Sequence, residues 1–431
     1  MSRAARAWEM GLVVFAEVFT RPSFELFREL VCAWVLASGR RTVTGMIRAI
    51  TPGGRRAHDA YHRFLRTGAW TLVPLWRLLL VHLVTHLDLH GPLQLDLDDT
   101  LFHKSGRKIE GAGGFRDAVR SSSRTVVYAR GLNLVVLTLH VPPPWGGEPL
   151  GLPINVRLYR KGGPSHLDLA EEMVRQVAEW LPGYSFVLVG DGAYASLAGR
   201  SLPRTQVTSR MRRDAALYAL PPRRRKKRRP GRPRKRGKRL PSPEQLARRR
   251  QGWSRATVNE RGTLVKRLLL RLPVLWYAVC PDRPVLLVIV RDPDGNQPDD
   301  FFFTTDLEQS AAVVAAQYGG RWCIEDTFRN VKQVLRGEDP QTWKRQGPER
   351  AAALSLWLYS MICCWYITTQ GAKPCWLALP WYTSKRTPSF ADAMAALRRA
   401  LWRERVFSKY DRKPLPRKTA NAIIEALARA A

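Results

Sequence analysis

Three acidic residues occupy places where the surrounding pattern would fix a carboxylate in space. Leu93-Gln-Leu-Asp-Leu-Asp98 alternates apolar and polar residues with period two, the pattern of a β-strand, and Asp98 stands at its end. Phe186-Val-Leu-Val189 is a short buried-strand run that passes into Gly190-Asp191-Gly192. A strand end holds the backbone rigid while presenting a side chain at the rim of a sheet. A carboxylate there is a ligand for a hard, oxygen-seeking cation. Each Asp also has a plainer reading as the start of a turn, since Asp191 precedes a glycine and Asp98 lies in Asp-Asp-Thr. Asp96 and Asp99 flank Asp98, so a register shift of one residue would exchange the ligand. Asp96 shares a strand face with Asp98 and could assist it.

The third acid adds a pattern. In Gln317-Tyr-Gly-Gly-Arg-Trp-Cys-Ile-Glu-Asp-Thr-Phe-Arg-Asn-Val-Lys332, the residues Tyr318, Arg321, Glu325 and Lys332 are spaced by 3, 4 and 7. At ~100° per residue they fall within an arc of about 60° on one helix. Beside that arc Ile324, Phe328, Val331 and Leu335 form an apolar stripe. One helix could thus bury the stripe on a sheet and carry the polar row along its edge, although Gly319-Gly320 could break it and release Tyr318. The competing account is a solvated face with an Arg321–Glu325 pair. Three carboxylates in a chain this rich in cations make sense if they gather divalent metal. Two Mg²⁺ ions ~3.5–4 Å apart activate a water and stabilise the leaving oxygen of a phosphodiester, while Arg321 and Lys332 hold phosphates.

The spacing resembles that of the bacterial insertion-sequence transposases of the DDE, ribonuclease-H-like type, whose signature is Y-x2-R-x3-E-x6-K. Tyr318, Arg321, Glu325 and Lys332 fit it without a gap, and Arg-Trp-x-Ile-Glu-x-x-Phe-Arg-x-x-Lys (321–332) is typical of the group. Asp98 in Leu-Asp-Asp-Thr and Asp191 in Val-Gly-Asp-Gly-Ala-Tyr match its first two acids. The resemblance spans roughly 20–370. It implies a cut-and-paste DNA transposase in which Asp98, Asp191 and Glu325 hold two Mg²⁺ ions, with Mn²⁺ able to substitute. Water would nick each transposon end, and the freed 3′ hydroxyl would form a hairpin and, after its opening, join target DNA. Tyr318, Arg321 and Lys332 would grip the DNA end, a β-rich insertion would separate Asp191 from Glu325, and a homodimer would act on paired ends.

The elements that must position these residues are readable in outline. The fold class expected is α/β: a ribonuclease-H-like mixed sheet with a β-rich insertion, preceded by a helical region. Residues 1–90 read as helical and DNA-binding. Phe24–Leu36, the break at Ala37-Ser38-Gly39 and a Thr42-capped helix through Ile50, with Arg40, Arg41 and Arg48 nearby, form a candidate helix-turn-helix, the alternative being helical packing alone. Residues 91–210 form the first part of the core, with strands in Thr125–Val141, Asn155–Tyr159, Phe186–Val189 and Gln206–Ser209 and a helix over Asp168–Trp180. Residues 211–306 form the insertion, with a disordered linker at 221–245 and strands at 264–271, 274–279, 284–290 and 300–305. A helical stretch from Glu308 to Leu335 and a buried helix complete the core at 307–372, and 373–431 form a helical C-terminal region.

Composition agrees with an anionic partner. The 431 residues hold 71 Lys and Arg against 36 Asp and Glu, a formal charge of +35. Removing the 13 basic residues of 223–239 still leaves +22, so no single tract explains it. Within that tract Arg229-Pro-Gly-Arg-Pro-Arg-Lys-Arg236 resembles an AT-hook placing Arg232 in a minor groove, imperfectly, because Pro230 stands where that motif has Arg. A sequence-independent phosphate-binding tail is the blander account. Arg210, Arg212 and Arg213 could follow a DNA backbone or be a solvated turn. The six cysteines show no CxxC pair, which argues against a zinc motif or a disulfide framework and for a reducing interior; the resemblance implies a cytoplasmic, nucleoid-associated protein. The uncharged run 351–369 is long enough to span a bilayer, yet its Ser and Thr residues and the lack of a second span favour a buried helix and no membrane partner. The rival functions are a catalytically inactive transposase-derived DNA-binding protein and a ribonuclease-H-like nuclease without strand transfer.

Overall fold

Apolar residues recurring at helical spacing fold the first ninety residues into α1 (Arg3–Val13), α2 (Arg21–Leu36), α3 (Val43–Ile50), α4 (His58–Thr67) and α5 (Leu72–His86). The computed structural model describes residues 2–50, 56–122, 124–221, 235–376, 378, 380–409 and 416–430. Between α2 and α3 the chain turns at Gly39, whose φ of 74° suits a residue without Cβ. Thr42 then starts α3, its Oγ1 accepting the Gly45 N–H. The expected helix-turn-helix outline is therefore present, but Arg41 is not free to meet DNA. It is buried, and its guanidinium donates to the Trp34 and Gly39 carbonyls while its backbone N–H donates to Asp339. A cation there satisfies the Trp34 carbonyl in the last turn of α2. Arg40 and Arg48 remain exposed.

The period-two segments pair into one ten-stranded mixed sheet among the described residues. Its strands are β1 (Leu93–His103), β2 (Gly113–Arg116), β3 (Tyr128–Val141), β4 (Leu150–Tyr159), β5 (Phe186–Gly190), β6 (Thr205–Arg210), β7 (Trp253–Glu260), β8 (Thr263–Val274), β9 (Val285–Arg291) and β10 (Asp300–Thr304). The central order is β4-β3-β1-β5-β6, with β3 antiparallel to β1 and β4, and β5 parallel to β1 and β6. This is the ribonuclease-H-like arrangement. The chain passes from β4 to β5 through α6 (His166–Trp180), whose N-terminus carries a Ser165–Asp168 capping box. β10 pairs antiparallel with β6, so the inserted strands β10-β9-β8-β7 continue the core sheet.

Several elements depart from expectation, among them β2, which no expected strand covers, and β4, which begins at Leu150 and not at Asn155. β7 is an added strand at the sheet edge, and of its residues only Val258 is buried, so it carries little hydrophobic signal. Residues 274–279 are not a strand: Val274 ends β8, Leu275 bridges to Tyr218, and Trp276 packs edge-on against Phe303 at 5.2 Å. The linker expected at 221–245 is structured from its second half, where Arg239 bridges to Tyr218 and Ser242 caps the short α7 (Pro243–Ala247) with Gln245. Arg232 lies outside the described residues.

After the sheet come α8 (Ala311–Gly320), α9 (Cys323–Gln333), α10 (Gly347–Gln370), α11 (Phe390–Lys409) and α12 (Arg417–Arg429). The uncharged run lies in α10, buried as far as Ile367 against β4 and the N-terminal helices. Trp357 meets Phe15 and Phe27 edge-on at 4.8 and 5.2 Å. The hydroxyls that dilute the run are satisfied, Ser360 donating to the Pro153 carbonyl at 2.8 Å and Ser355 to that of Ala352 at 2.6 Å.

Candidate active site

β1 and β5 run side by side in parallel, with Leu97 opposite Gly190. β5 ends there and Asp191 follows it as expected, whereas β1 continues to His103 against β3, so Asp98 lies mid-strand beside the end of β5 and not at a strand end. The backbone of Asp191 is held by Ser209 Oγ, which donates to its carbonyl at 2.7 Å, and its carboxylate caps the following 3-10 helix through the Ala193 N–H at 2.9 Å. Asp191 thus begins a turn and also flanks Asp98. Asp98 points toward α9, while Asp99 takes the other sheet face, accepting from Asn133 at 3.2 Å and Tyr194 at 3.4 Å. Alternation along the strand therefore favours Asp98 over Asp99 as the ligand on this face.

Glu325 arrives on α9, which buries Ile324, Phe328 and Val331, with Leu335 just beyond its end, as its apolar stripe. Thr327 Oγ1 pins the helix to β4 through the Gly151 carbonyl at 2.6 Å. The expected single helix is two: α8 ends at Gly320, and Arg321 and Trp322 keep helical dihedrals while the regular hydrogen-bond ladder is replaced by shorter-range bonds. Arg321 sits at this joint. Its guanidinium donates to Asp98 Oδ2 at 2.7 Å and to Glu325 Oε1 at 3.3 Å, joining the first and third acids.

The electrostatics are those of crowded carboxylates. Burial, with Asp191 and Asp99 adding, pushes the Asp98 carboxyl up to about 6, against the pull of Arg321. Burial also raises Glu325, again opposed by Arg321. The buried Arg321 is itself raised by Asp98, Tyr318 and Glu325, which outweigh its desolvation. An oxygen-only donor set that is partly buried suits a hard divalent cation.

The remaining predicted residues divide. Tyr318 stacks on Phe302 at 4.3 Å and keeps its ring 5.6 Å from the Arg321 guanidinium, so the row survives the helix break. Lys332 lies further along β1, its Nζ 5.7 Å from the Phe102 ring, and burial lowers its pKa. Arg210 pairs with Asp300 at 2.5 Å and Arg212 with Asp214 at 2.8 Å, both away from Arg321 in their bonding. Gly320 has a packing reason: a Cβ there would meet His140 Cε1 at 2.7 Å.

Other groups at the site carried no signal in the sequence. Gln94, His140 and Cys323 converge on Asp96, one layer beneath Asp98 on the same strand face. Gln94 also donates to the Gln317 carbonyl at 3.2 Å, tying β1 to α8. The half-exposed Trp322 carries Arg261 over its ring at 4.3 Å. These contacts join residues far apart in the chain, which local periodicity does not reveal.

The sequence matches the family described as DDE superfamily endonuclease over residues 14–266, a span that includes Asp98 and Asp191 and stops before Glu325. No curated protein matches the chain. A solved structure described as the cryo-EM structure of piggyBac transposase synaptic complex with hairpin DNA aligns with a TM-score of 0.40 and 12% identity, covering 99% of this chain and 76% of that one.

Proposed function

Because the chain belongs to the DDE superfamily of endonucleases, matched over more than half its length, we propose that it is a DNA transposase. In this reading it nicks transposon ends hydrolytically and transfers the freed strand to target DNA through a hairpin intermediate. The observation that carries the proposal is the meeting of three elements where β5 ends beside β1. Asp98 from β1 and Glu325 from α9 share the Arg321 guanidinium, and Asp191 follows the strand beside Asp98.

The residues present fit divalent metal. Asp98, Asp191 and Glu325 would hold Mg²⁺, two ions by the number of carboxylates, with Mn²⁺ as a substitute. Bound there, the ions would supply an activated water and charge stabilisation at the leaving oxygen. The chain's own groups do the rest. Arg321 balances the acids and, released from them, offers a two-pronged donor to a DNA phosphate. Tyr318 and Lys332 line the same route on either side of it. The buried stripe of α9 fixes Glu325 and the β1–β5 ladder fixes the two aspartates. The three carboxylates are not all within 4.8 Å of one another while Arg321 stands between Asp98 and Glu325, so metal would draw them in as the arginine leaves. The general positive charge draws DNA to the surface, and paired ends call for a homodimer working on chromosomal DNA in the cytoplasm.

The test is cleavage of a plasmid carrying the DNA that borders the gene, with Mg²⁺ or Mn²⁺. Nicking at the element ends that disappears in Glu325→Gln, with gel-shift binding kept, supports the reading. Cleavage that persists undiminished in Glu325→Gln and Asp98→Asn overturns it.

A further inference from the structure

Beneath the three acids lies a second cluster of different chemistry. Asp96 Oδ2 is 2.9 Å from His140 Nδ1 and 3.3 Å from Cys323 Sγ, and the imidazole nitrogen and the sulfur are 3.7 Å apart. Asp96 is fully buried, Cys323 is buried, and His140 is partly so. The three ligand atoms come from β1, β3 and α9. Among the described residues this is the one group of His, Cys and carboxylate ligands whose atoms all lie within 4.8 Å of one another.

We propose that Asp96, His140 and Cys323 form a binding site for a borderline-soft divalent cation, zinc by its ligand set, distinct from the all-oxygen site above it. Ligands ~2.0–2.3 Å from a tetrahedral zinc stand roughly 3.3–3.8 Å from one another. The separations of 2.9, 3.3 and 3.7 Å need only small shifts to meet that. The charges also close: a carboxylate and a thiolate balance one Zn²⁺, and His140 would bind as the neutral imidazole through Nδ1, the nitrogen that faces Asp96. Gln94 braces the ligands, its amide nitrogen donating to Asp96 Oδ1 at 2.8 Å and to the Gln317 carbonyl at 3.2 Å, and the fourth position of a tetrahedral zinc is left to water. Two glycines seal the cluster: a Cβ at Gly320 would meet His140 at 2.7 Å, and one at Gly151 would meet Cys323 Sγ at 3.1 Å. A metal here would staple β1, β3 and α9 two residues below Asp98 and Glu325, and so hold the catalytic acids in register.

The experiment uses the full-length chain, purified without a metal-chelating tag, with zinc read by elemental analysis and Co²⁺ added to metal-stripped protein. The expected result is near one zinc per chain. Co²⁺ should give a thiolate-to-cobalt charge-transfer band and the strong visible bands of tetrahedral geometry, all lost in Cys323→Ser. The all-oxygen acids produce no thiolate band, so this outcome does not depend on the catalytic reading. Wild-type protein free of zinc and without the charge-transfer band overturns the proposal even if Cys323→Ser fails to fold. So does a band that survives the substitution.

Discussion

The Arg321 guanidinium sits between two of the acids that would bind metal, and its removal should make metal binding tighter. In Arg321→Met the apolar stem is kept and two charge-assisted bonds are lost, one of 2.7 Å to Asp98 and one of 3.3 Å to Glu325. Such bonds contribute about 1.5–3 kcal/mol each. The Glu325 bond is long and the glutamate side chain is 35% exposed, so about 3 kcal/mol for the pair is the working figure. A cation entering the wild-type site must displace that interaction, and without it the affinity should rise about a hundredfold at ~1.4 kcal/mol per factor of ten. Mn²⁺ titration near neutral pH, following the free-ion paramagnetic resonance signal without DNA, reads the change. Arg321→Lys, which keeps the charge but not the fork, should fall between the two. In chelator Arg321→Met should melt below wild type, because Asp98 and Glu325 lose their counter-charge, and excess Mn²⁺ should close the gap. An affinity equal to or weaker than wild type would refute the idea that the arginine holds the metal's place.

Other consequences follow from single contacts. Asp98 titrates at about 6 in the folded chain against a usual 3.8, so the protonated form is the one folding favours. Its contribution to stability is present below ~pH 4 and is lost as pH rises through about 6. Mn²⁺ affinity should run the opposite way, falling as pH drops below about 6, and a pH-independent affinity between 5 and 7 would contradict the burial of this acid. Gly320→Ala places a methyl 2.7 Å from His140 Cε1 and should cost about 1–3 kcal/mol in denaturant unfolding, whereas Gly319→Ala, whose nearest neighbour is 3.9 Å away, should not. Arg350→Met removes the donors that bind the Phe64, Leu65, Gly68 and Trp70 carbonyls at the end of α4. It should lower the melting temperature by several degrees without a change in Mn²⁺ affinity; an unchanged melting temperature would show that those carbonyls find water instead.

Much of the site was legible because its signals are local. The period-two run ending at Asp98, the apolar run before Asp191 and the stripe Ile324, Phe328, Val331 and Leu335 each report which side of one element is buried, and the sheet and α9 use them that way. The uncharged run of α10 likewise announced burial. What stayed hidden depends on contacts between distant segments. Arg41 looked like a DNA-facing charge because nothing nearby shows that it closes the end of α2 and meets Asp339. The edge strand β7 buries too little to leave an apolar trace. The absence of CxxC pairs argued against a thiolate metal site, yet Asp96, His140 and Cys323 converge from 44 and 183 residues apart. One missed element did have a signal: Ser242-Pro243-Glu244-Gln245 is a capping box with proline in the first turn, overshadowed by the basic tract before it.

The most direct measurement is the position of Mn²⁺, by anomalous scattering, in crystals of the protein with its DNA end. The account places the manganese between the carboxylates of Asp98, Asp191 and Glu325, with Arg321 turned away from Asp98 toward phosphate. Manganese bound elsewhere, or an Arg321 still joined to Asp98 and Glu325 while DNA occupies the site, would contradict it.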